Sequence, residues 1–201
     1  MIEPVGPRSP SLESGKTPED VPIYRPSGSA DRASGRILCA WSGTMDVRFI
    51  NPFIQATNKV FGVMVNAPVA VVRTMAARTL PQDPDSVNAV VELHGDVEGL
   101  VVLRFPSKIV YGVAQAFAGS SVDEVYAHDA IGELANMVAG NAKQDLYGRS
   151  ASLSIPRVVV GDLTDLERTG DAPWLVISLS SRVGNFQLLV NLVMSCAIGS
   201  P

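Results

Sequence analysis

The chain has 201 residues, 46% hydrophobic and 18% charged, which is globular composition and excludes a disordered chain or a coiled coil. A net charge of −4 without any Lys/Arg cluster argues against a nucleic-acid binder. No apolar run approaches the roughly 18 residues of a membrane span, and the opening MIEPVGPRSP lacks the apolar core of a signal peptide. A cytoplasmic location with no membrane partner is therefore expected. Cys39 and Cys196 stand far apart without CxxC spacing, which fits a reducing compartment better than a disulfide framework or a zinc site.

Residues 1–44 form a Pro/Ser/Gly-rich segment whose few apolar residues do not repeat at helix or strand spacing. Such a chain buries too little apolar surface to offset its ordering entropy, so a flexible tail is expected there, with Ile37–Trp41 as a candidate docking stretch. The folded domain is expected over 45–196, followed by a short tail over 197–201. Asn51-Pro52 reads as an N-cap followed by an N1 proline. Phe53, Thr57, Val60, Phe61 and Met64 follow at helical spacing. Pro68 to Thr74 is a strand candidate. Val87 to Leu93 and Val97 to Phe105 form a hairpin across His94-Gly95-Asp96, with Val101, Leu103 and Phe105 on one face.

Pro106-Ser107 ends that strand and caps a helix reaching Ala118, with Gly119 in the C′ position. Ser121 and Glu124 have capping-box spacing and open a second helical segment that continues to about Tyr147. Leu153 to Val160 is rich in β-formers, and Pro156 within it implies an edge or a bulge. Trp174 to Arg182 and Phe186 to Met194 flank Gly184-Asn185, read as a tight hairpin turn. The pattern is α+β: a largely antiparallel sheet of about six strands, packed with two long helices and a shorter one. A helix followed by three strands occurs twice, which suggests an internal pseudo-repeat.

The stretch HDAIGELANMVAGNAK, His128 to Lys143, carries the chemistry. On a helix advancing about 100° per residue, Ile131, Leu134, Ala135, Val138 and Ala142 share one stripe that must face the core. Glu133 and Asn136 lie opposite, about 60° apart around the axis and one turn apart along it. Gly140 continues their face and leaves a shallow spot, and Asp129 and Lys143 border it. By spacing alone a Glu and an Asn on a solvent face are ordinary. Their chemistry narrows the options. An amide can donate to and accept from one water, holding it in line with a phosphorus atom, but is not a strong base. Phosphoryl hydrolysis has a loose transition state that demands positioning above all. A carboxylate beside it could pair with a cation on a partner. No nucleophile, metal cage or glycine phosphate loop is evident, so the labile phosphate and any Mg²⁺ would arrive with that partner, and no cofactor of its own is expected.

With these residues in place, the sequence resembles the CheX family of chemotaxis phosphatases, relatives of CheC and FliY, over about Asn51 to Leu192. The most specific portion is DAIGELANMVAGNAK, similar to the family's ExxN helix. INPF…AT…VF at Ile50–Phe61, GDVEGLVVLRFP and SLSIPRVVVG support it. The resemblance implies an α+β fold and a hydrolase acting on the aspartyl phosphate of a CheY-like receiver, in two-component signalling. It implies that Asn136 orients the attacking water and that Glu133 pairs with the receiver's lysine. Asp129, Gly140 and Lys143 would contact the partner. It also implies a homodimer. CheC-type members carry the motif on two helices; here the first reads Gln55-Ala56-Thr57-Asn58, which looks like the single-site arrangement. The alternative is a non-catalytic module that binds a receiver or another signalling protein through the same face.

Other tempting residues have plainer readings. His94 at a hairpin turn and His128 at a helix start lack partners at metal spacing, so no metal site is expected. Trp174 beside Pro173 reads as packing. For Asn141, structural and partner-contact roles weigh equally. Phe186, Leu188, Val190 and Leu192 alternate as a core strand, with a second possible use in pairing a sheet edge across a dimer.

Overall fold

The computed structural model describes residues 37–39, 49–146, 148–166, 169 and 172–196. In chain order the elements are β1 (Ile37–Cys39), α1 (Asn51–Met64), β2 (Ala70–Ala77), β3 (Ser86–Gly95), β4 (Val97–Pro106), α2 (Ser107–Ala118), α3 (Glu124–Gln144), β5 (Ala151–Leu153), β6 (Arg157–Val160), β7 (Trp174–Ser181) and β8 (Gly184–Cys196). One sheet, antiparallel throughout, runs β2-β7-β8-β4-β3-β5, with β1 beside β8 and β6 beside β3. The six-strand path and the three helices match the α+β architecture expected.

The order is palindromic. Exchanging β2 with β6, β3 with β7 and β4 with β8 returns the same arrangement. Each hairpin, β3–β4 and β7–β8, is flanked by the first strand of the other half. This is the topological form of the expected pseudo-repeat, and it interlocks the halves into one unit.

All three helices pack on one face. Phe53 and Phe61 of α1, Val110 and Val113 of α2, and Ile131 and Leu134 of α3 meet Val101, Leu103 and Phe105 of β4 in the larger core. Phe186 sits at its centre, stacked 4.6 Å from Phe61 and 4.9 Å from Phe105, centroid to centroid. The opposite face holds a second cluster in which Trp174, Val176, Leu189, Leu100 and Val102 are covered by Leu80 and Leu163 from loops. Central strands buried on both faces read as continuous apolar runs, as β4 does.

A buried polar network lies on that second face. Arg104 is only 2% exposed. Its Nε donates to Asn88 Oδ1 at 2.8 Å and its Nη1 to the Pro81 carbonyl. Asn88 Nδ2 in turn donates to Gly161 O at 2.8 Å. The network thereby ties the loop before β3 to the loop after β6. Nη2 is buried without a partner. Burial pushes the Arg104 pKa down, against the opposing pull of Asp83 and Asp162.

Several local expectations are corrected. Asn51 is the first helical residue, not the cap; the cap position is Ile50 and makes no side-chain bond. Met64 is 37% exposed and lies outside the buried stripe of α1. At α2 the cap position is Pro106, so Ser107 opens the helix without capping it. At α3 the cap is Asp123, whose Oδ1 accepts from Tyr126 N at 2.8 Å; the Ser121–Glu124 box does not form. The span 153–160 is split at Pro156 into β5 and β6, both edge partners of β3. The β7–β8 turn is at Arg182-Val183, because Ser181 pairs with Gly184 and Asn185 is already in the ladder opposite Ser180. Gly119 does close α2, in the left-handed conformation at φ 71°.

Within the segment read as a tail, β1 pairs antiparallel with the end of β8, Cys39 opposite Met194. The rest of that segment and residues 197–201 lie outside the described residues, as do the side chains of both cysteines. Among the described residues no helix is long and apolar enough to cross a membrane.

Candidate functional site

The site is built on α3, the longest helix at 21 residues. Its N-terminus is fixed by the Asp123 cap, and Glu124 in the first turn and Lys143 in the last suit the helix dipole. Its buried side is a stripe of small residues broken by Ile131, Leu134 and Val138. All five residues expected on the core face (Ile131, Leu134, Ala135, Val138 and Ala142) are buried. That stripe fixes the rotation of the helix and therefore what faces solvent.

On the solvent side Glu133 is exposed and Asn136 half-buried. No hydrogen bond or ion pair among the described residues engages either side chain. The Asn136 amide therefore keeps a donor and an acceptor for an incoming group. Asp129 and Lys143 are exposed on the same side. Gly140 is half-buried, with open space where a Cβ would stand. The structure thus brings the five expected residues to one solvent-side face of one helix. Asn141 differs: its Nδ2 donates to Met137 O at 2.8 Å, a bond within the helix.

The corresponding turn of α1 is employed otherwise. Asn58 Oδ1 accepts from Val69 N at 3.0 Å and so shapes the entry to β2. Gln55 lines a polar hollow with Asn51, Gln144 and Gly148, where the first turn of α1 meets the end of α3. Gln55 and Asn58 therefore do not form a second Glu–Asn pair.

His94 ends β3 in solvent with Nε2 at 3.5 Å from Glu92 Oε2, and Trp174 is fully buried. Among the described residues no group of three or more His, Cys, Asp or Glu is placed to hold a metal ion.

Sequence reasoning missed what lies beside the pair. Gly132 is buried, and a Cβ built on it would stand 3.3 Å from Val158 Cγ2 and 3.8 Å from Pro156 Cβ. The connection between β5 and β6 therefore packs directly on α3, one residue before Glu133. The signal available was a glycine inside a helical pattern, which usually has a packing reason. Its contact, however, is long-range and has no mark in the local pattern.

Residues 87–180 match the family model of the chemotaxis phosphatase CheX, a span that contains all of α3 and leaves out α1. No curated protein matches the chain. A chemotaxis protein CheX from Desulfovibrio desulfuricans superposes with a TM-score of 0.63 at 22% identity, covering 73% of this chain and 98% of that one. A CheC-like superfamily protein from Shewanella gives 0.62 at 25% identity, covering 74% and 98%. CheX in a CheX–CheY–BeF3–Mg²⁺ complex from Borrelia burgdorferi gives 0.56 at 18% identity, covering 76% and 100%. The match over 87–180 and the shared fold agree: the chain is similar to CheX and CheC-like chemotaxis proteins.

Proposed function

We propose that this protein is a phosphatase for the aspartyl phosphate of a CheY-like receiver. The observation that carries the reading is the unpartnered Glu133–Asn136 pair on the solvent side of α3, inside the span that matches the CheX model. The similarity to a CheX crystallised with CheY supports a receiver as partner.

In this reading Asn136 holds a water in line with the phosphorus. The water oxygen forms the new P–O bond while the bond from phosphorus to the aspartyl carboxylate oxygen breaks. The carboxylate leaves as such, and the water's protons depart with inorganic phosphate. No strong base is needed, since the leaving group is a good one and the transition state is loose. Glu133 pairs with a lysine of the receiver and fixes the register. Asp129, Gly140 and Lys143 border the docked partner. Any Mg²⁺ belongs to the receiver. The protein acts in the cytoplasm as a homodimer. The edge strand β2 suits such pairing, being exposed along nearly its whole length, free of proline and bearing Val71, Val72 and Met75 in solvent.

The competing reading is a non-catalytic module that binds a receiver through the same face. Following phosphate loss from a phosphorylated receiver separates the two. The phosphatase reading requires faster loss with the wild type, no acceleration with Asn136→Ala despite retained binding, and weaker binding with Glu133→Ala. Binding by the wild type without acceleration would assign the face to the module.

A further inference from the structure

Of the large apolar side chains among the described residues, Ile155 is the most exposed, at 91%. It stands between Ser154 and Pro156 in the short connection from β5 to β6. The backbone on both sides of it is held. Ser154 N donates to Glu92 O at 2.9 Å, and Ser154 Oγ accepts from Glu92 N at 2.9 Å. After it, Pro156 and Val158 rest on α3 at Gly132, and Arg157 enters the ladder opposite Val90. Gly132 directly precedes Glu133 and lies one turn before Asn136.

A single exposed isoleucine is ordinary. One held on a backbone that is seated against the helix carrying the pair is different, because its backbone ordering cost is already met before a partner arrives. Val125, 72% exposed, stands on α3 two turns before Gly132, within about 20° of it around the axis. Ile155 and Val125 therefore flank one side of the polar face, the side of Asn136 and Asp129.

We propose that Ile155, with Val125, forms the apolar rim of the docking surface around Glu133 and Asn136, and that Ile155 is a specificity-determining contact for the receiver. This rests on the phosphatase reading above. The occupant is a receiver domain with an apolar patch beside its acidic phosphorylation site. The rim adds apolar contact area at the edge of the docked face, while Glu133 fixes the register through its charged contact. Ile155 is a positioning residue; it touches no reacting atom.

The test uses the full-length chain and steady-state phosphate release over a range of phosphorylated receiver. Ile155→Glu is expected to raise KM by about tenfold or more and Ile155→Ala by a few fold, with kcat within about twofold of wild type, as for the loss of one interface anchor. The melting temperature is expected to stay unchanged, since the side chain buries nothing in the fold. Unchanged KM in Ile155→Glu overturns the inference. So does a KM change that tracks loss of the dimer in sedimentation, which would make Ile155 a contact between copies of this chain. If the wild type binds the phosphorylated receiver without accelerating phosphate loss, only the phosphatase reading fails; a weaker Kd in Ile155→Glu then still supports the rim, and an equal Kd sinks it. A wild type that neither binds nor accelerates overturns both.

Discussion

Replacing Arg104 by methionine tests the back-face network. The substitution removes donors from the buried Asn88 Oδ1, at 2.8 Å, and from the half-buried Pro81 carbonyl. A stranded buried acceptor costs about 1–3 kcal/mol and a half-buried one less, so the loss is about 2–5 kcal/mol. Against it stand the guanidinium's desolvation and the unpartnered Nη2, which methionine relieves by about 1–3 kcal/mol. The expected net destabilisation is about 2 kcal/mol, or about 4–8 °C in Tm for a domain of this size. Urea unfolding should show a lower midpoint with an unchanged slope. Amide exchange should rise first in the loops around Pro81 and Gly161, which the network joins. The sign with pH follows from the depressed pKa. The unfolded chain holds this proton more tightly, so wild-type stability rises with pH from the lowered value up to the ordinary arginine range, and the methionine variant lacks that rise. Arg104 lies on the sheet face opposite α3, so phosphate release per folded molecule should not change. A variant as stable as wild type would refute the reasoning, because it would mean that burying the cation costs as much as its two hydrogen bonds contribute.

Two further outcomes are expected. Gly140→Ala meets no atom within 4 Å and should raise helix stability by up to about 1 kcal/mol in thermal melts; if the receiver approaches closely there, KM should rise with it. Asn58→Ala removes the 3.0 Å bond from Val69 N and should cost about 0.5–1.5 kcal/mol in urea unfolding without altering phosphate release, as expected for a helix face that holds no second site.

Much of the site was legible because helical periodicity is a local property. Ile131, Leu134 and Val138 mark the inward side of α3, and the outward placement of Glu133 and Asn136 then follows from the rotation per residue. Helix starts were less legible. At α1 and α3 several residues near the boundary can cap, and backbone geometry selected Ile50 and Asp123 over their neighbours. The β7–β8 turn was misplaced for a related reason. Gly184-Asn185 has turn-forming chemistry, but the register that buries Phe186 and Leu188 puts the turn at Arg182-Val183.

The sequence by itself determined the α+β class, the β3–β4 hairpin and the face of α3 that carries the carboxylate and the amide, since each is written in the spacing of apolar residues along one element. Only the tertiary structure decided that the two halves interlock through exchanged edge strands, that Arg104 is sealed in a network spanning two loops, and that Pro156 and Val158 seat on Gly132, the residue before Glu133. These are contacts between residues far apart in the chain. Periodicity reports whether a side chain is buried, whereas strand order and register decide what it is buried against.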